Sequence, residues 1–148
     1  MSCELRVASY LSHNSILDTR YSQLDTHMHI EEFRTYCLSK SGVTESFPFD
    51  EATLVFKVMS KMFALTGLER EGFTVNLKCD PERALALREK YPEIQPGYHM
   101  SKKHWNTIDF EGSLDRELLV KLIDHSYDLV VSKLKKAEKE ELKLMVND

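Results

Sequence analysis

From Met28 onward the apolar residues recur with two distinct periods. In MHIEEFRTYCLSK, Ile30, Phe33 and Cys37 follow helical spacing with Leu38 beside Cys37, which predicts an amphipathic helix. Glu31 and Glu32 fall in its first turn, where the helix dipole favours anions, and Ser41-Gly42 marks its stop. The segment SFPFDEA is expected to be a loop, because Pro48 disfavours both helix and central strand. Leu54, Phe56 and Val58 then alternate with Val55 and Lys57, the period of a strand. Met59-Ser60 is a tight connection into KMFAL (61–65), its expected hairpin partner. FTVNLKC (73–79) is the clearest strand. Phe73, Val75, Leu77 and Cys79 take one side of it, and Thr74, Asn76 and Lys78 the other.

Asp80-Pro81 predicts a helix start, with Asp80 as cap and Pro81 at the first helical position. Ala84, Leu87 and Tyr91 form the apolar stripe of that helix, and Pro92 and Pro96-Gly97 close it and open a loop. YHMSKKHWNTIDF (98–110) reads as two short extended pieces, the second spanning His104 to Phe110. Gly112 punctuates, and Ser113 is expected to cap a last helix. Along that helix Leu114, Leu118, Leu122, His125 and Leu129 share a face, joined by Leu119, Ile123, Val130 and Val131. The order is helix, three strands, helix, two strands, helix. That predicts an α+β fold, an antiparallel sheet with helices packed on one face. Residues 1–27, Ser-rich and only sparsely apolar, read as a loosely ordered extension or as the product of an upstream start, with Met28 the true one. The domain is expected over 28–134, followed by an exposed, charged, helix-prone tail over 135–148.

Composition narrows the function classes. The 148 residues are 42% hydrophobic and 30% charged, the balance of a globular protein long enough to need no disulfide or metal for a core. The net charge is −4 and the pI about 5.9, whereas a protein that coats nucleic acid is usually basic overall. Without the first 27 residues, 18 basic side chains still face 21 acidic ones. Any nucleic-acid contact must therefore use a local patch. Cys3, Cys37 and Cys79 are an odd number with no C-x-x-C pair, which argues against a disulfide framework or zinc knuckle and for a reducing, cytoplasmic setting. No run approaches the ~20 apolar residues of a membrane span, and the N-terminus has no apolar signal core.

The densest cluster of chemistry-bearing residues is His99, Lys102, Lys103, His104, Trp105 and Asn106, entering a strand after a Pro-Gly turn. Lysines bind phosphates as point charges, indole stacks on bases, and Asn pairs a base edge or phosphate. Alternation puts Lys103, Trp105 and Thr107 on the face shared with Thr74, Asn76 and Lys78. Two readings stand there. Trp105 is an exposed stacking platform, or it packs under a loop beside solvated lysines. His99 and His104, five apart, match no metal-ligand spacing with Cys79, so neither metal nor cofactor is expected. His125 is expected to hydrogen-bond in the core or at its edge. Cys37 and Cys79 lie on core faces as small hydrophobes. Asp124 and Asp128, one helical turn apart, have Lys121 as a surface partner. No G-x-S-x-G, Gly-rich phosphate loop or H-E-x-x-H occurs, and no enzymatic activity is expected.

The segments TLVFKV, KMFAL, VNLKCDPE, LREKYPEIQPGYHMSKKHWNT, GSL and LIDHSYDLVV closely resemble the MmcQ/YjbR family of small bacterial proteins, from Met28 to Leu134. The resemblance implies a frataxin-like (CyaY-like) two-layer sandwich, in agreement with the element order. It also implies a DNA-binding role tied to a "double wing" motif. The matching positions are Asn76 and Lys78 in VNLKC, and His99, Lys102, Lys103, His104, Trp105 and Asn106 in YHMSKKHWN. Residues 1–27 have no counterpart in the family pattern. The expectation is a non-catalytic, monomeric, cytoplasmic DNA-binding protein using the open sheet face around Lys102–Asn106. The alternative is a protein-interaction or small-ligand module on the same face, docking an acidic or aromatic partner, which the acidic pI favours. An iron-binding role rests on fold analogy alone and would draw on Glu31, Glu32, Glu45, Asp50 and Glu51, with Arg34 and Lys40 interleaved.

Overall fold

Alternating apolar residues build the sheet and the longer apolar period builds its cover. The computed structural model describes residues 28–146, so the extension expected over 1–27 lies outside the described residues. The elements are α1 (Ile30–Leu38), β1 (Val43–Ser46), β2 (Thr53–Val58), β3 (Lys61–Gly67), β4 (Thr74–Lys78), α2 (Pro81–Lys90), β5 (Ile94–Pro96), β6 (Trp105–Asp109), α3 (Arg116–Ser132) and α4 (Lys136–Val146). Among the described residues six strands form one antiparallel sheet, ordered β1-β2-β3-β4-β6-β5. Leu54, Phe56, Val58, Ala64, Val75, Leu77 and Ile108 project from one face into the main core, where they meet Phe33, Leu119, Ile123 and Leu142 of the helices. The result is the α+β two-layer sandwich expected, with helices on one face.

Phe33 of α1 sits at the centre of this core. Its ring meets Phe56, Phe73 and Phe110 edge-on, at centroid distances of 5.3, 5.6 and 5.6 Å. The β2–β3 connection is the tight hairpin expected. Met59 and Ser60 both take left-handed φ, 48° and 73°, the twist that two-residue hairpins favour.

Between Phe56 and Lys57 the β2–β3 register slips, which leaves Phe63 an extra residue beside Ala64. The β3–β4 pairing runs only over Ala64↔Leu77 and Leu65↔Asn76, so backbone groups at Phe63 and Lys78 need other partners. Ser126, buried on the apolar face of α3, supplies both. Its Oγ donates to the Phe63 carbonyl at 2.5 Å and accepts from the Lys78 N–H at 2.9 Å.

Four features differ from the sequence expectation. Val43–Ser46 is a strand where the apolar pattern predicts none, because it needs only edge pairing with β2. An extended segment occurs at β5 and not at 98–104, which forms turns. Pro96 is tolerated there because β5 is an edge strand paired only to β6. Asp115, not Ser113, caps α3 by accepting from the Leu118 N–H at 2.8 Å. Ser113 donates to Glu93 instead. The charged tail is helical, as its sequence suggests, but not wholly exposed, because α4 seats Leu142 in the core.

Asp80 caps α2 as expected, accepting from the Arg83 N–H at 3.3 Å. Its own N–H donates to Nε2 of His125 at 3.2 Å. Burial, and then the Arg83 charge, hold the His125 imidazole below its ordinary value of 6.5, against the raising influence of Asp80 and Asp128. The unfolded chain then binds the extra proton first, so stability falls as pH drops from about 7 through 6.5 toward the folded value. Denaturant titrations at several pH values between about 7.5 and 5 should show this loss, and His125→Gln should flatten it.

Candidate binding face

The face of the sheet away from the helices is set by register. Directly paired residues share a face in antiparallel sheets. Ser46, Val55, Leu65, Asn76, Thr107 and Gln95 therefore form one row across all six strands. Lys78 and Trp105 pair in the next row, and Thr74 and Asp109 in the row on the other side. The sequence alternation assigned Thr74, Asn76, Lys78, Trp105 and Thr107 to this shared face, while Lys103, assigned with them, lies on the turn before β6.

It did not determine their exposure. Trp105 is only 7% exposed. Its side chain packs with Val55 and Leu65 under Met62 and Met100, a second small core on this face. Of the two readings left open for Trp105, the buried one holds. Asn106 is 1% exposed and pairs with Leu77, on the helix side. Its Oδ1 accepts from Arg88 Nε at 2.6 Å. Arg88 also donates through Nη2 to the Trp105 carbonyl at 3.2 Å and to the Lys102 carbonyl. Asn106 therefore leaves the set of surface groups. It anchors one end of the 97–104 loop.

The other end of the loop is held by three hydrogen bonds that close a ring. The Tyr98 N–H donates to Thr107 Oγ1 at 2.9 Å, the Thr107 hydroxyl to Asn76 Oδ1 at 2.6 Å, and Asn76 Nδ2 to the Tyr98 carbonyl at 3.5 Å. Gly97 passes so close to the strand that a Cβ there would lie 2.8 Å from Trp105 Cβ, a clash that only glycine avoids. The loop then displays His99, Lys102, Lys103 and His104 to solvent.

Two concavities flank this loop. At one end Lys78, His104 and Lys133 line a groove of about 310 Å³ with Cys79 and Asp80. At the other a cleft of about 490 Å³ has Leu65, Thr74 and Asn76 among its lining, with Phe49, Arg70, Tyr98 and His99 around it. Sequence reasoning missed Phe49, Arg70 and Tyr98 as a set. They come from three separate loops, and no local spacing joins them.

The cysteine thiols of Cys37 and Cys79 are both pushed up by burial, which suits inert packing and not nucleophilic chemistry. Tyr36 is pushed up to about 12, first by burial and then by its hydrogen bond to Asp124 at 2.5 Å. Asp124 pairs with Lys40 at 2.6 Å, while Lys121, its expected partner, reaches Glu117 one turn back on α3. Three of the five acidic residues that an iron-binding role would draw on are engaged with other groups. Glu45 takes a bidentate bond from Arg34, Glu32 pairs with Arg116, and Asp50 caps its own loop through the Ala52 and Thr53 N–H groups.

A family model described as YjbR matches residues 38–129, more than half of the chain. The protein YjbR of Escherichia coli K12 is 34% identical over 119 residues, 80% of this chain and 98% of that one. YbdF of Escherichia coli O157:H7 is 38% identical over 97 residues, 66% of this chain and 80% of that one. Among solved structures, Deinococcus radiodurans protein DR2400, described by its domain DUF419, superposes with a TM-score of 0.74 at 42% identity. That match covers 80% of this chain and 91% of its own. A one-sided antiparallel sheet, a matching family model and relatives aligned over most of their length lead to one conclusion: the chain belongs to the YjbR family.

Proposed function

We propose that the protein is a non-catalytic DNA-binding domain that holds the phosphate backbone along the loop edge of the open face. The observation that supports this most is the placement of its basic side chains. Lys102, Lys103 and His104 are all exposed on one anchored loop, and His104 continues into the groove shared with Lys78 and Lys133. This gives an acidic protein a local basic edge. Binding there is electrostatic and positional, since phosphate contacts fix register without reading sequence. Trp105 and Asn106 serve as the supports of that edge and do not touch the DNA. On this reading the protein works as a cytoplasmic monomer. No helix among the described residues is long and apolar enough to cross a membrane.

Labelled duplex and single-stranded DNA, titrated into the full chain at low and at physiological salt, should bind with log K falling linearly against log salt. Lys102→Ala/Lys103→Ala should reduce that slope by about 2, roughly one for each phosphate that a lysine no longer neutralises, and weaken binding at low salt by roughly tenfold or more. Binding that ignores salt, or a double variant that binds as the parent does, would overturn the reading.

A further inference from the structure

The cleft at the far end of the open face uses a different set of residues from the lysine edge. Its volume of about 490 Å³ lies in the roughly 300–1,000 Å³ range of small-molecule sites. Phe49 and Tyr98, both on its rim, are 65% and 50% exposed. The Arg70 guanidinium carbon stands 4.4 Å from the centroid of the Tyr98 ring and has no carboxylate partner among the described residues. Asp50, the acid lining the cleft, already accepts from the Ala52 and Thr53 N–H groups and the Thr53 hydroxyl. Those bonds hold its carboxyl below the usual range and direct it to its own loop. On the floor, the Thr74 hydroxyl makes no hydrogen bond among the described residues, and Asn76 has one amide N–H to spare beyond its bond to Tyr98. His99 holds a left-handed φ of 58°, a conformation that is uncommon for non-glycine residues but one in which histidine is enriched. Its ring lies 4.0 Å from that of Tyr98.

We infer that this cleft binds a nucleoside monophosphate unit, a planar heterocycle with one phosphate. Exposed aromatic rings provide stacking surfaces for any base. An unpaired arginine provides the planar fork that matches phosphate. Free floor donors suit the ring nitrogens and carbonyls of a base. The inference stands apart from the backbone-binding reading, because it uses no lysine of the loop edge. The unit has two sources, a free nucleotide or one unstacked nucleotide of a strand.

Adenosine monophosphate titrated into the full chain by calorimetry is the test, with adenosine and inorganic phosphate as partial probes. The expected result is saturable binding of the whole nucleotide, weaker binding of each part, and at least a tenfold loss in Arg70→Ala and in Tyr98→Ala. Adenosine should lose affinity in Tyr98→Ala but change little in Arg70→Ala. Lys102→Ala/Lys103→Ala should bind the nucleotide as the parent does, so a failed DNA titration would leave this result intact. Both single variants truncate side chains at the cleft rim, and a thermal melt matching the parent's establishes that they fold. Displacement of the nucleotide by a short single-stranded oligonucleotide identifies the strand as the source. Undiminished binding beside saturating oligonucleotide identifies the free nucleotide. No saturation at millimolar nucleotide, or equal affinity in parent, Arg70→Ala and Tyr98→Ala, would overturn the inference.

Discussion

Truncating Phe33 to alanine is expected to destabilise the fold by about 3–5 kcal/mol, the range for a fully buried phenylalanine. The side chain is 0% exposed and lies between three other rings, all edge-on within 5.6 Å. Edge-to-face pairs add about 0.5–1.5 kcal/mol beyond area burial, so the upper part of the range applies. The surroundings have little freedom to collapse into the space. Phe56 is fixed within β2, and Phe73 and Phe110, just outside β4 and β6, are tied to each other by the bond from the Phe110 N–H to the Phe73 carbonyl. In a domain of this size the loss should lower the melting temperature by roughly 10 °C or more. Phe33→Leu keeps much of the volume and should cost about half as much or less. Urea titrations of the three proteins check this. A loss below about 1 kcal/mol in Phe33→Ala would mean that α1 does not close the helix side of the sheet.

The consequence reaches the opposite face. The helices pack their apolar faces against one side of the sheet, so the residues offered for binding lie on the other side, on its loops and, with Lys133, at the end of α3. That division was legible in the sequence wherever the chain alternates strictly. FTVNLKC separates Val75 and Leu77 from Thr74, Asn76 and Lys78, and the structure keeps that separation. Asp80-Pro81 was legible because capping chemistry is local. The edges of the sheet were not. VTES carries little apolar signal because β1 is half-exposed, and β5 contains a proline that only an edge position tolerates. Ser126 was hidden because a polar residue in an apolar stripe has no sequence signal when its partners are backbone groups 48 and 63 positions away.

The candidate site shows the same limit. Period-two alternation places Trp105 and Asn106 on opposite faces. Grouping them by adjacency in KKHWN therefore joined a residue of the open face to one of the helix side. The cover over Trp105 comes from Met100, on a loop whose path depends on Gly97, Thr107 and Arg88 together. The cleft is less legible still. Phe49, Arg70 and Tyr98, on the β1–β2, β3–β4 and β5–β6 loops, converge only once the whole sheet is in register.

Asn106→Ala is expected to cost about 1.5–3 kcal/mol, the scale of a hydrogen bond to a charged group. The amide is buried at 1% exposure, and its Oδ1 is the side-chain acceptor for Arg88. Without it the guanidinium retains only the Lys102 and Trp105 carbonyls. Arg88→Ala removes the same bond from the other side, so the double variant should fall well short of the sum of the singles. The distinction matters for function. A surface residue that touches a base, once truncated, leaves stability within about 0.5 kcal/mol and changes sequence preference. A buried anchor does the reverse: stability drops, and DNA affinity changes through a loosened loop. Amide hydrogen exchange reads that difference directly. The Trp105 and His104 amides, both bonded to the Ser101 carbonyl, should exchange faster in Asn106→Ala while those of β2 and β3 change only by the global loss. Unchanged exchange at those two amides, together with unchanged stability, would return Asn106 to the residues proposed to touch DNA. The loop would then need another anchor to keep Lys102 and Lys103 where the DNA reading requires them.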